Sequence, residues 1–97
     1  MTLESTIEDY LKKRAKEEWL FLRKVCWIGR RYAPDRLLNN IYIELKRPGE
    51  KPCAGQLREH ERMRKAGNRV EVIDSKEGID RLIKEITNPL NGAKDGL

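Results

Sequence analysis

Two carboxylates and one lysine stand close together in the middle of this chain. Asp35 directly follows Pro34, and Glu44-Leu45-Lys46 begins nine residues later. A hard cation such as Mg²⁺ prefers carboxylate, carbonyl and water oxygens, so the two acids could hold one beside a phosphodiester while the lysine stabilises negative charge. The spacing therefore suggests metal-assisted phosphodiester hydrolysis. Paired acids near a lysine are also common on solvated sheet faces, and the pattern alone leaves this alternative open.

The residues between the two acids predict a β-hairpin. Leu37-Leu38 and Ile41-Tyr42-Ile43 read as strands, and Asn39-Asn40 suits the tight turn because asparagine tolerates a positive φ. With the asparagines at the centre of the turn, Leu38 faces Ile41, Leu37 faces Tyr42 and Asp35 faces Glu44. Residues directly opposite one another have Cβ atoms about 4.5 to 5.5 Å apart. The two acids are therefore predicted to be cross-strand neighbours.

Alternation along this hairpin separates a core face from a polar face. The core face carries Leu38, Ile41, Ile43 and Leu45, and the other face carries Asp35, Leu37, Tyr42, Glu44 and Lys46. Like charges directly opposite one another repel unless a cation lies between them. A bound metal ion would turn that repulsion into a binding site.

Composition limits the class of protein. The chain has 97 residues, with 21 Lys and Arg, 16 Asp and Glu and a net charge of +5. This length allows one small domain, and the basic balance favours a polyanionic partner such as nucleic acid, although a basic surface can also serve only solubility. No apolar run is long enough for a membrane span and no signal peptide is apparent, so we expect a cytoplasmic protein. Cys26 and Cys53 are expected to be free thiols, and with His60 as the single histidine there is no zinc set.

The rest of the chain predicts the elements that position the hairpin. A first helix, capped by Thr2 or by Ser5 with Glu8 as a capping box, is expected to run to about Trp19, and a strand to cover Arg23–Ile28. After the hairpin we expect a helix from Ala54 to Ala66 with Gly67 at C′, a strand over Arg69–Ile73 and a last helix capped by Ser75. The order α-β-β-β-α-β-α indicates a mixed α+β fold with a small mixed sheet flanked by helices. Residues 1–87 form the single domain and residues 88–97 a flexible C-terminal tail.

The residues resemble a known family in several segments at once. Glu4, the run from Lys24 to Leu37 with its Pro34-Asp35 step, the strand Ile43–Glu50 and Gln56 closely resemble the VRR-NUC family. This family is a branch of the PD-(D/E)xK nuclease superfamily, whose members have a restriction-endonuclease-like α/β core. The resemblance extends from Glu4 to Ile83, and standalone members of this length are typical of phage and prophage.

The resemblance implies a Mg²⁺- or Mn²⁺-dependent endonuclease acting on branched DNA such as Holliday (four-way) junctions, with no nucleotide cofactor. Asp35, Glu44 and the backbone carbonyl of Leu45 would be metal ligands, and Lys46 would orient the attacking water or stabilise the developing charge. Glu4 would complete the acidic cluster and Gln56 would reach the same site. Glu4 can also be explained as a first-turn acid favoured by the helix dipole. The family usually has glycine where this chain has Tyr32, so that the loop must differ there or Tyr32 must project toward DNA.

Basic residues around these motifs are candidates for contacts with the DNA backbone. They are Arg30, Arg31, Arg36, Arg47, Lys51, Arg58, Arg62 and Lys65. Any of them could instead be a solvated surface charge. His60 lies one turn after Gln56 and could approach the site, although packing at the helix edge is the simpler expectation.

The apolar run Trp19-Leu20-Phe21-Leu22 and the aromatic residues Trp27 and Tyr32 bear on the oligomeric state. A C2 homodimer would bury them and oppose two sites, as symmetric cleavage of a branched duplex requires. They could equally fill the core of the monomer. Two other classes of function remain at this point: a catalytically silent or accessory DNA-binding module, and a nuclease directed to flaps or nicks.

Overall fold

The computed structural model describes residues 3–88, with side chains from Thr6 onward. The elements along the chain are α1 (Leu3–Glu17), β1 (Leu22–Lys24), β2 (Arg36–Leu38), β3 (Ile41–Leu45), α2 (Ala54–Lys65), β4 (Arg69–Ile73) and α3 (Lys76–Thr87). This is the predicted order of helices and strands. Within this range, no helix combines the length and the apolar character that a membrane crossing needs.

The four strands form one mixed sheet in the order β1-β2-β3-β4. β1 and β3 each pair antiparallel with β2, whereas β3 and β4 run parallel and are connected through α2. The hairpin register is confirmed, with Leu38 opposite Ile41 and Leu37 opposite Tyr42. Asn39 takes a φ of 54°, as the turn requires, and its backbone and side chain both bond to the backbone of Phe21.

The sheet has two faces of different character. On the inner face, the buried side chains of the hairpin pack against α1 and α3 in one apolar core. The core consists of Ile7, Leu11, Ala15, Leu38, Ile41, Ile43, Leu45, Ile73, Ile79, Leu82 and Ile83. On the outer face, α2 packs on β4 and buries His60 and Met63. The hairpin residues predicted for the core are therefore confirmed, and the polar ones lie on the side that α2 partly covers.

Two predicted boundaries are wrong. The strand expected over Arg23–Ile28 ends at Lys24. The Val25 amide still donates to the Asp35 carbonyl at 2.9 Å, one step beyond the Lys24–Arg36 pair, and the chain then turns through Gly29, whose φ is 72°. Ser5 lies inside α1, which begins at Leu3, so Ser5 is not its cap.

The remaining boundaries are close to expectation. α1 ends at Glu17, and Trp19 follows with a φ of 58°. The bounds of β4 and the Ser75 cap of α3 are confirmed, with the Ser75 hydroxyl accepting a hydrogen bond from the Gly78 amide at 3.0 Å. Thr2 and the tail beyond Asn88 lie outside the described residues.

Candidate active site

A cleft of about 410 Å³ opens where the ends of β2 and β3 meet the loop 25–35 and the start of α2. It brings together four of the predicted catalytic and metal-binding residues, Asp35, Glu44, Leu45 and Gln56, although they come from three different segments. Its lining consists of Val25, Trp27, Arg30, Arg31, Ala33, Asp35, Arg36, Glu44, Leu45 and Gln56. The two predicted carboxylates therefore line the same cleft as three arginines.

The loop 25–35 is held in place by its own side chains. The Trp27 indole N–H donates to the Pro34 carbonyl at 2.7 Å, and the Trp27 ring lies 5.5 Å from the Tyr42 ring, measured between centroids. Pro34 is buried. These contacts position the backbone of Asp35 at the start of β2, while its carboxylate remains 53% exposed and open to a ligand.

Arg36 links this carboxylate to α1. Its Nη1 lies 2.8 Å from Oδ1 of Asp35, and its other terminal nitrogen pairs with Glu8. Burial disfavours the cation, but Glu8 and Asp35 outweigh it and raise the pKa of Arg36. Arg36 is therefore a permanent positive charge in the cleft wall, bonded within the chain rather than projecting freely toward solvent.

Glu44 lies beneath α2 and contacts the only histidine of the chain. Its side chain is 13% exposed, and Oε1 lies 3.3 Å from Nε2 of His60, which is fully buried. Burial lowers the pKa of His60, and the nearby cations Arg64 and Lys46 lower it further, so the ring is neutral near pH 7. A neutral ring with its proton on Nε2 donates this hydrogen bond. The imidazole thus orients Glu44, as the partners of metal-binding carboxylates commonly do.

The amino-acid sequence favoured packing of His60 at the helix edge over an approach to the site, and so gave this contact too little weight. His60 follows Gln56 by one helical turn and shares its face, which was the available signal. What the sequence could not show is that α2 crosses the outer face directly above Glu44. The Nδ1 atom of His60 has no hydrogen-bond partner among the described atoms.

The remaining predicted site residues take different positions. Lys46 directly follows β3, is 14% exposed and has Nζ 3.8 Å from Oε1 of Glu50. It lies close enough to His60 to help lower its pKa, but it does not line the cleft. Gln56 lines the cleft, and its Oε1 accepts the Cys53 amide at 3.0 Å, which caps the N-terminus of α2. The side chain of Glu4 lies outside the described residues.

The donors in the cleft fit a hard divalent cation. Asp35 and Glu44 offer carboxylate oxygens, and Leu45 lines the same cleft, where its backbone carbonyl would be a third oxygen of the kind that such a cation accepts. Among the residues described, no three side chains of Asp, Glu, His or Cys cluster closely enough to hold a metal by themselves. Backbone oxygen and water would therefore complete the coordination, as is usual for Mg²⁺.

Tyr32 packs against the beginning of α2. A Cβ atom added to Gly55 would lie 2.7 Å from the Tyr32 ring, so glycine at position 55 makes room for it. Tyr32 is not among the residues with positive φ, and hence the loop differs from one that needs glycine at this position. Arg31 lies over the same ring, with its guanidinium carbon 5.6 Å from the centroid.

The eight basic candidates divide into two groups. Arg30 and Arg62 pair with Glu59, Arg36 with Glu8 and Asp35, and Lys65 with Glu61. The other four are exposed, and within residues 6–88 no carboxylate forms an ion pair with them; they are Arg31, Arg47, Lys51 and Arg58.

Comparisons with known proteins agree with this geometry. A solved structure described as "VRR_NUC domain" has a TM-score of 0.77 and 37% sequence identity, with 87% of this chain and 97% of that chain covered. The "Putative nuclease p44" of Acyrthosiphon pisum secondary endosymbiont phage 1 is 39% identical over an alignment of 79 residues, with 76% of this chain and 85% of that protein covered. No family model matches the chain. Both relatives are more than a third identical over most of their length, and the chain therefore belongs to the VRR-NUC family of nucleases.

Proposed function

We propose that this nuclease is a metal-dependent DNA endonuclease that cuts branched duplexes such as four-way junctions. Its role would be in replication, recombination or repair of phage or prophage DNA, in the cytoplasm of a bacterial host. The observation that supports this best is the meeting of Asp35 and Glu44 in one cleft, one carboxylate open to solvent and the other held by a buried histidine.

In this proposal Asp35, Glu44 and the Leu45 carbonyl hold Mg²⁺ or Mn²⁺. When bound, the ion would polarise the scissile phosphate and lower the pKa of a coordinated water. The chain's own groups do the remaining work. Asp35 would leave its ion pair with Arg36 to bind the cation, and His60 keeps Glu44 in one orientation. Lys46 stabilises the negative charge that develops on the phosphate.

Glu4 and Gln56 have supporting roles. Glu4 would add a third acid from α1, whose next turn carries Glu8 and its bond to Arg36. Gln56 would present its amide nitrogen to the cleft while its oxygen caps α2.

DNA binding in this proposal uses the basic residues of both groups. Arg31, Arg47, Lys51 and Arg58 need not break an ion pair to reach a phosphate, so their contribution should be the larger one. Arg30, Arg36, Arg62 and Lys65 would exchange a carboxylate for a phosphate. Each phosphate contact should make affinity fall more steeply with salt.

We also propose a homodimer. Of the run Trp19-Leu20-Phe21-Leu22, Leu20 and Leu22 pack against the monomer core, and Trp19 is the most exposed at 94%, so in this proposal Trp19 contributes to an interface between two copies. A two-fold axis would oppose two clefts across a branched substrate. Light scattering of the wild type and of Trp19→Ser tests this, and a monomeric wild type at micromolar concentration contradicts it.

The central experiment compares linear, nicked, flap and four-way-junction DNA in Mg²⁺, in Mn²⁺ and in EDTA. The wild type should cut the four-way junction only with a metal. Asp35→Asn and Glu44→Gln should lose both cleavage and metal binding by calorimetry, whereas Glu61→Gln, an exposed acid on α2, should retain both. Undiminished cleavage in EDTA or by Asp35→Asn contradicts the proposed site. Faster cleavage of flap or nicked DNA would show that these are the substrates and not four-way junctions. DNA binding without any cleavage would indicate a silent DNA-binding module.

A further inference from the structure

The outer face of the sheet has a half that α2 does not occupy. α2 packs on β4 at one edge, and β1 forms the opposite edge. At that edge Phe21 is 57% exposed and Arg23 is exposed beside it. The guanidinium carbon of Arg23 lies 3.9 Å from the centroid of the Phe21 ring, so the two side chains form one stacked pair.

The strand register relates this pair to the candidate active site. Arg23 is opposite Leu37 in the ladder, and Leu37 lies two residues from Asp35 on the same side of the chain. Two residues of strand span about 7 Å. Arg23 therefore lies close enough to Asp35 to contact a neighbouring phosphate of a DNA strand held at Asp35.

The chemistry of the pair matches the two parts of a nucleotide. Among the residues described, no carboxylate pairs with Arg23 or with its neighbour Lys24, so both charges are available to a phosphate. The aromatic ring offers a surface on which a base can stack, and stacking of this kind does not depend on base identity. In an intact duplex each base pair has a stacked neighbour on both sides, whereas a base pair at an open branch point lacks one of them and presents a free face.

We propose that Phe21 and Arg23 form a nucleotide-binding subsite beside the cleft. Arg23 binds a phosphate next to the scissile one, and Phe21 stacks on a base exposed at the branch point. This inference rests on the proposed function and adds to it the source of a preference for branched DNA. The cleft alone contacts the phosphate that all DNA structures share, whereas Phe21 responds to an unstacked base.

Binding measurements on the full chain test the proposal. Affinities for a four-way junction and for a linear duplex of the same length are measured by fluorescence anisotropy in Ca²⁺, between 50 and 200 mM salt. Phe21→Ala should weaken junction binding about tenfold and duplex binding less than twofold. Arg23→Gln should weaken both and should lower the slope of log affinity against log salt by about one. Arg81→Gln on α3 and Val72→Ala on β4 serve as exposed controls and should behave as wild type.

The outcomes separate this inference from the proposed function. If the wild type cuts junctions while Phe21→Ala and Arg23→Gln bind both DNAs as the wild type does, the subsite is refuted and the nuclease stands. If the wild type cuts no DNA with any metal, the proposed function fails first. If Phe21→Ala converts a dimer to a monomer, Phe21 belongs to an interface between copies and the inference is overturned. If Phe21→Ala does not fold, the binding and the salt slope of Arg23→Gln still decide the test.

Discussion

The two faces of the sheet differ in what they bury, although the same strands form both: one face buries apolar side chains and the other buries polar ones. On the inner face, side chains from α1, β2, β3 and α3 exclude water in one continuous apolar core. On the outer face, the same β3 strand presents Glu44, which is partly covered and held by a buried histidine. Burying apolar side chains stabilises the fold, whereas burying Glu44 and His60 costs free energy unless each is bonded. The continuous apolar core therefore lies on one face, and the proposed active site lies on the other.

The largest effect is expected on the outer face, where loss of Lys46 should reduce cleavage without reducing stability. Lys46→Ala should reduce cleavage by about 100- to 1000-fold, because a cation beside the phosphate is lost, while the melting temperature stays near that of the wild type. Rates on junction DNA in Mg²⁺ and Mn²⁺ measure this. Lys51→Ala, an exposed lysine beyond the same strand, should lose only a few-fold. Cleavage by Lys46→Ala at the wild-type rate would show that Lys46 is not catalytic.

The second effect belongs to the inner face. Ile43 is fully buried, and Ile43→Ala should lower the free energy of unfolding by about 3 kcal/mol because it leaves a cavity. Activity per folded molecule should remain unchanged. Urea unfolding followed by Trp fluorescence measures the loss, and Leu57→Ala, at an exposed position of α2, should change it by less than 1 kcal/mol. Equal losses in the two variants would contradict the assignment of the core.

A smaller effect on activity is expected at His60, the buried polar residue of the outer face. His60→Phe keeps a planar ring at this position but removes the hydrogen bond to Glu44, so activity and apparent Mn²⁺ affinity should fall about 10- to 100-fold. Stability should change little, because the orphaned Nδ1 is removed as well. His60→Gln, which retains a donor, should recover part of the activity. If both variants have the same stability and the same metal titration as the wild type, His60 is only a packing residue.

The smallest effect is a pH dependence far from the cleft. Hydrogen bonds from Tyr10 and Arg14, with the charge of Arg14, lower the pKa of Asp80, although partial burial opposes them. A carboxyl group with a lowered folded pKa stabilises the protein above its unfolded value of about 3.8, and that contribution disappears as the pH falls further. The melting temperature should therefore fall less steeply between pH 5 and pH 3 in Asp80→Asn than in the wild type. Parallel curves would refute this role for the α1 to α3 contact.

Features that depend on local signals could be predicted from the sequence, whereas a feature that depends on a tertiary contact could not. The hairpin register could be predicted because two asparagines define the turn and alternation defines the faces. β4, α2 and the Ser75 cap were likewise predicted from local signals. β1 was predicted too long because Val25 and Trp27 have high strand propensity, yet Trp27 is used to hold the loop through its bond to Pro34. Propensity describes a residue's local preference and cannot show that a tertiary contact overrides it.

In the amino-acid sequence alone, local chemistry already specified the order of the elements, the register of the hairpin, and the resemblance that predicted a nuclease. These features depend on residues within about ten positions of one another, and turns, caps and alternation act at that range. The contact of His60 with Glu44, the pairing of Arg36 with Glu8 and Asp35, and the exposure of Phe21 beside Arg23 arise only when α1, α2 and β1 take their places around the sheet. They join distant segments, and no local pattern records which surface a helix will cover.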